Sequence, residues 1–134
     1  MQNLLQKGIS LLISLSLGIA MLAVATPAYA QEFNLTGAGS YSCTTTACDS
    51  IGVITSPRNE TYQEFAAVNG TTVNGSIQTQ YANDAINFTC ELVDNTCIGT
   101  YTHSDNSGGT GTFSQTFDSG VPGSGNTDLL ATGS

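Results

Sequence analysis

Positive charge is nearly absent from this chain. Its 134 residues contain two Lys or Arg, Lys7 and Arg58, against ten Asp or Glu. After Ala30 only Arg58 remains, so residues 31–134 carry a formal charge of −9. Proteins hold phosphate backbones through Lys and Arg, which excludes a nucleic-acid partner, and anionic membrane surfaces are disfavoured for the same reason. Tryptophan is missing and histidine occurs once, as His103. A sugar-cleaving cleft would lack its strongest stacking residue, and acid–base chemistry has one imidazole to use. Beyond residue 30 there is no apolar run long enough to span a bilayer. Leu, Ile, Val and Phe make up less than a fifth of residues 31–134, near the level at which a chain struggles to bury a core. The length allows one small domain.

What is present begins with an export signal. Lys7 supplies a positive start, an apolar stretch with small residues runs over 9–24, and Thr26-Pro27-Ala28-Tyr29-Ala30 has the A-x-A cleavage pattern. Ser10, Ser14, Ser16 and Gly18 break the run, and no positive flank follows it. These features read as a signal peptide over 1–30 and not as a membrane anchor. The expected location is secreted, periplasmic or extracellular. All four cysteines, Cys43, Cys48, Cys90 and Cys97, lie after the leader. An even count in a small exported domain implies structural disulfides, and the short spacings favour Cys43–Cys48 and Cys90–Cys97 over crossed pairing or a zinc site.

About half of residues 31–134 are Thr, Ser, Gly or Asn. No helical period is sustained. Short runs of Thr, Val, Ile, Phe and Tyr alternate with Gly, Asn, Asp and Pro, which predicts strands near 33–42, 51–56, 61–68, 72–81, 85–92, 97–103 and 110–117. A weak eighth is placed near 127–132. The fold class is therefore all-β: an antiparallel meander over 31–118, closed into a sandwich or barrel and stapled by disulfides. Residues 119–134, rich in Gly and Ser, read as a C-terminal tail or an edge strand.

Two hairpins can be given a register. A type I′ turn centred on Asn69-Gly70 pairs Ala66 with Val73 and Tyr62 with Ile77, placing Tyr62, Ala66, Val68, Val73, Ile77 and Tyr81 on one face. Asn74-Gly75 then falls at a bulge or bend. In the second hairpin a four-residue loop over 92–95 sets Cys90 opposite Cys97, whereas a two-residue turn makes them diagonal neighbours, a poorer fit for a bridge.

Candidate chemistry is sparse. His103 with Ser104 and Asp105 could form a base and its orienting carboxylate, yet no serine sits in an activating motif. Glu60, Glu64, Asp84, Glu91, Asp94 and Asp105 could supply a carboxylate pair for glycoside hydrolysis. Asp94-Asn95 and Asp105-Asn106 could offer oxygens to calcium, though neither matches a known loop pattern and both are ordinary turn residues. No cofactor is otherwise implied. Five Asn-x-Ser/Thr sequons start at Asn34, Asn59, Asn69, Asn74 and Asn87, and the bacterial style of the leader argues against their use. Thr pairs at Thr100/Thr102 and Thr110/Thr112 fit a polar strand face better than an ice-ordering repeat. The expected function is that of a small non-catalytic β protein, a binding, adhesion or envelope-associated module for a protein or glycan partner. The alternative is a small secreted hydrolase, or an enzyme inhibitor, with its site near His103.

Overall fold

A computed structural model describes residues 32–134; the leader expected over 1–30 lies outside them. The described chain is a closed antiparallel barrel of eight strands, each hydrogen-bonded to its neighbours in sequence and the last to the first. The strands are β1 (Phe33–Cys43), β2 (Ala47–Ser56), β3 (Glu60–Asn69), β4 (Thr72–Thr79), β5 (Ile86–Val93), β6 (Thr96–His103), β7 (Thr110–Phe117) and β8 (Gly123–Gly133). A single 3₁₀ turn, Ala82–Asp84, interrupts the connection between β4 and β5. Of the two expected architectures the chain adopts the barrel. Within residues 119–134, expected as a tail or edge strand, the eighth strand expected near 127–132 is present as β8; it starts earlier, at Gly123, and is no edge, since it pairs with β7 on one side and β1 on the other. Closure removes the exposed edges that an open meander would leave.

Strand alternation sends the sparse apolar residues inward. Leu35, Ile54, Val73, Ile77, Ile86, Phe113, Phe117 and Leu129 are all buried. An eight-stranded barrel is just wide enough for its side chains to fill it. Here the filling follows a rule: most large inward rings face a glycine in register on the next strand. Tyr41 pairs with Gly125, Tyr62 with Gly52, Phe88 with Gly75, Tyr101 with Gly111, and Phe113 with Gly99. A methyl group on Gly75 would come within 2.8 Å of Phe88 Cζ, and one on Gly111 within 2.7 Å of Tyr101 Cε1. The glycines thus accommodate rings in a narrow interior, the small-opposite-large pattern of tight barrels. Gly75 is one of them; it sits in a regular ladder and not at the bulge or bend expected from Asn74-Gly75.

The turns correct one register and decide another. Asn69 pairs with Thr72, and the turn residues are Gly70 and Thr71, with Gly70 at φ 64°. Glycine first is the type II′ arrangement, which needs positive φ at one residue where type I′ needs it at two. Val68 therefore meets Val73, and Ala66 meets Gly75. The shift from the expected pairing is two residues, so the inward set survives, except that Tyr81 lies beyond the strand and is exposed. In the second hairpin the turn is Asp94-Asn95, Leu92 pairs with Cys97, and Cys90 pairs with Gly99. The Cys90–Cys97 bridge is thus diagonal, with Cα atoms 5.3 Å apart, inside the tolerated range. Cys43 and Cys48 face each other directly, with Cα atoms 4.1 Å apart.

The topology gives the barrel two unlike ends. One carries the connections at 44–46, 70–71, 94–95 and 118–122, and both disulfides lie toward it. They clamp the β1–β2 and β5–β6 hairpins, which stand on opposite sides of the eight-stranded ring. Tyr41 ties the 118–122 connection to the same end, donating to Gly120 O (2.8 Å) and accepting from Ser119 N (3.0 Å). The other end holds the connections at 57–59, 80–85 and 104–109.

Candidate functional site

Three places combine polar chemistry with defined geometry. The first is inside the barrel. Glu64, Ser50, Gln115 and Thr127 occupy inward positions and are buried. Ser50 Oγ donates to Glu64 Oε1 at 2.6 Å, and Gln115 Nε2 donates to the same oxygen at 2.8 Å and to Thr127 Oγ1 at 3.0 Å. Gln115 Oε1 has no donor among the described residues. Burial raises the Glu64 carboxyl above the usual carboxylate range, against the lowering effect of the Gln115 and Ser50 hydrogen bonds. A proton on Glu64 adds a donor to a cluster that otherwise has more acceptors than donors. These residues bind one another.

The second place is the end opposite the disulfides. Of the six candidate carboxylates, the fold brings together Glu60 and Asp84, both buried. Arg58 Nε lies 3.0 Å from Asp84 Oδ2, and Nη2 donates to Oδ1 at 3.4 Å. Oδ2 lacks a properly directed hydrogen bond, so the shorter contact is mainly ionic. The guanidinium also lies 4.7 Å from the centre of the Tyr81 ring, whose backbone N–H donates to Glu60 Oε1 (3.1 Å). Burial pushes Asp84 up to about 6; the hydrogen bond that its protonated carboxyl donates to Glu60, and the Glu60 charge, add to this, and Arg58 works against it. The neighbouring Glu60 carboxyl favours the neutral form of Asp84. Among the described residues no three His, Cys, Asp or Glu side chains form a metal-binding group.

His103 is at this end as well. Its ring packs against Phe33 (4.5 Å between centroids) and Tyr101 (5.5 Å), and Nε2 donates to Ser134 O at 2.9 Å. A carbonyl can only accept, so Nε2 carries a proton, and Nδ1 has no partner among the described residues. Asp105 does not orient the ring: its carboxylate accepts from Ser107 N at 3.0 Å, and its pKa is lowered first by the Ser107 side chain and then by that backbone hydrogen bond. Asp94 and Asn106 serve as left-handed turn residues, at φ 56° and 58°. Glu91 is exposed and held below the usual range by hydrogen bonds from Thr72 and Thr71.

The third place is the outer surface of β1–β4. In-register pairing sets Ser40 beside Ile51, Ile51 beside Gln63, and Gln63 beside Gln78. A second row runs from Ala38 through Val53 to Thr61, whose N–H donates to Gln80 Oε1 at 3.1 Å. Between these rows lies an open groove of about 800 Å³, with Gly39 and Gly52 in its floor. A smaller depression of about 320 Å³, lined by Ser42, Asp49 and Phe65, shares Ser40, Ile51 and Gln63 with it. Ile51, Val53 and Phe65 are large apolar side chains left 60%, 50% and 47% exposed. The volume of the main groove is on the scale of a ligand site. The sequence reading missed this surface, because its residues are unremarkable singly and meet only through the register of four strands. Glu64 left a clearer signal, since it shares its parity with Tyr62, Ala66 and Val68.

No family model, no curated protein and no solved structure matches this chain.

Proposed function

We propose that the chain is a small exported, non-catalytic binding module that works through the outside of its barrel, in an adhesion or envelope-associated role. One observation carries this reading: the interior is occupied by the chain's own side chains, whereas the ligand-sized relief lies outside, on β1–β4. The two disulfides suit an oxidising compartment outside the cytosol. No described helix is long and apolar enough to cross a membrane. The outward faces of β4–β7 carry Thr, Asn and Ser in rows such as Asn74, Thr89, Thr100 and Thr112, the reverse of a lipid-facing barrel. The alternative, a hydrolase or inhibitor site near His103, draws less support. There the imidazole N–H is committed to Ser134 O, and Asp105 is engaged by Ser107.

The test is site-specific photo-crosslinking in the native extracellular fraction. A photoreactive residue at Gln78 should trap a partner, and one at Ile98, exposed on β6, should not. Equal trapping from both positions, or trapping from neither, counts against the proposal.

A further inference from the structure

We infer that the groove over β1–β4 takes a neutral glycan chain; the inference rests on the surface-binding reading above and names its ligand. The argument starts from charge. None of the residues lining the main groove is charged, and Asp49 is the one charged side chain lining the adjoining depression. In a domain of net −9 this is an uncharged strip. Polyanions are repelled by the domain as a whole, and polycations find no counter-charge in the groove.

The side chains point the same way. Gln63, Gln78 and Gln80 each present an amide that both donates and accepts, and Ser40 and Thr61 add hydroxyls. Hydroxyl-rich ligands offer the same mixed donors and acceptors at every unit. Ile51, Val53 and Phe65 supply apolar surface for the C–H faces of a sugar ring. From Thr61 to Phe65 the outward positions of β3 span about 13 Å at the rise of a strand. That length, open along its course, suits the interior of a chain better than a single small molecule.

A polypeptide fits less well. The closed barrel has no free edge to which an extended peptide could add a strand. Protein interfaces also draw their binding energy from buried Trp, Tyr and Arg anchors, and the groove's exposed aromatic is Phe65 alone. The groove backbone is held in ladders on both sides, so binding orders few groups beyond the glutamine side chains.

The test is affinity electrophoresis of the described domain with its disulfides intact. Gels contain a soluble β-glucan, mannan or galactan, and in parallel polygalacturonate or heparin. At least one neutral polymer should retard the protein, and neither polyanion should. Phe65→Ala and Gln63→Ala should each weaken that retardation about tenfold, a factor set by the loss of one good contact. Ile98→Ala should leave it unchanged. Should Phe65→Ala fail to fold, Gln78→Ala replaces it. Retardation by no neutral polymer, or retardation equal in wild type and groove variants, overturns the inference. A protein crosslinked at Gln78 with no polymer retardation overturns the glycan and leaves the surface-binding reading standing; no crosslink and no retardation removes both.

Discussion

Raising the pH from 4.5 to 7 should destabilise this barrel, in contrast to the many domains that are weakest in acid. The reasoning runs through Asp84. Its carboxyl is raised from 3.8 to about 6 in the folded state, first by burial and then by Glu60. A group with a raised folded pKa contributes stability that is fully present below its unfolded value and is lost as pH rises through the folded value. The shift corresponds to about 3 kcal/mol at 1.36 kcal/mol per unit. Arg58 is 44% exposed, so solvent screens the site, and about 1–3 kcal/mol is the reasonable range. Glu64, also raised by burial, acts with the same sign. Glu91 and Asp105 are lowered, so their effects have the opposite sign but are confined to more acidic solution. The assay is urea unfolding at half-unit pH steps. Stability should fall across pH 4.5–7, and Asp84→Asn should flatten much of the slope. Glu64→Gln should be neutral or stabilising at pH 8, since its amide can donate within the core cluster without a charge. Stability that is level or rising over that window, or a slope unchanged in the Asp84→Asn, Glu64→Gln double variant, would refute the reasoning.

Three further outcomes are expected. Non-reducing peptide mapping should recover Cys43 linked to Cys48 and Cys90 linked to Cys97, and removing either bridge should cost about 2 kcal/mol by loop-closure entropy. Gly75→Ala should cost about 1–3 kcal/mol, because the added methyl meets Phe88, Ala66 and Phe65 O at 2.7–2.8 Å; an unchanged denaturation midpoint would sink the ring-against-glycine rule. Adding a chelator should leave the thermal midpoint unmoved, since Asp94 and Asn106 shape their turns unaided and Asp105 caps its own loop; a midpoint that falls and returns with calcium would restore the calcium reading of those loops.

Period-two alternation was enough to read seven of the strands, because turn residues bound each run and the inward parity holds over its length. Disulfide pairing was also legible, because each bridge is local to one hairpin. Closure was not. Gly123 and Gly125 look like linker residues, but they are inward positions of β8, opposite Cys43 and Tyr41. The ambiguity is physical: glycine loosens a chain in isolation, yet in a narrow barrel it is the complement of an aromatic ring. Turn type was misjudged because Asn-Gly is favoured in type I′, whereas a glycine in first place also suits type II′. Glu60 opens β3 and Asp84 ends the turn between β4 and β5, so their proximity follows from the fold alone. The groove was hidden for the same reason, since Gln63, Gln78 and Ser40 become neighbours only across ladders.

The pairing of β8 with β1 joins residues as far apart in sequence as Phe33 and Gly133. Contacts of such span form late, because the entropy of closing a long loop must be met before the contact is made. The stapled hairpins can form early and locally, whereas the last strand completes two ladders at once. A chain deprived of residues 123–133 is therefore not a smaller barrel. It is a curved seven-stranded sheet with two bare edges, β1 and β7, each a template for pairing with another copy. Such a truncation should aggregate before it loses secondary structure.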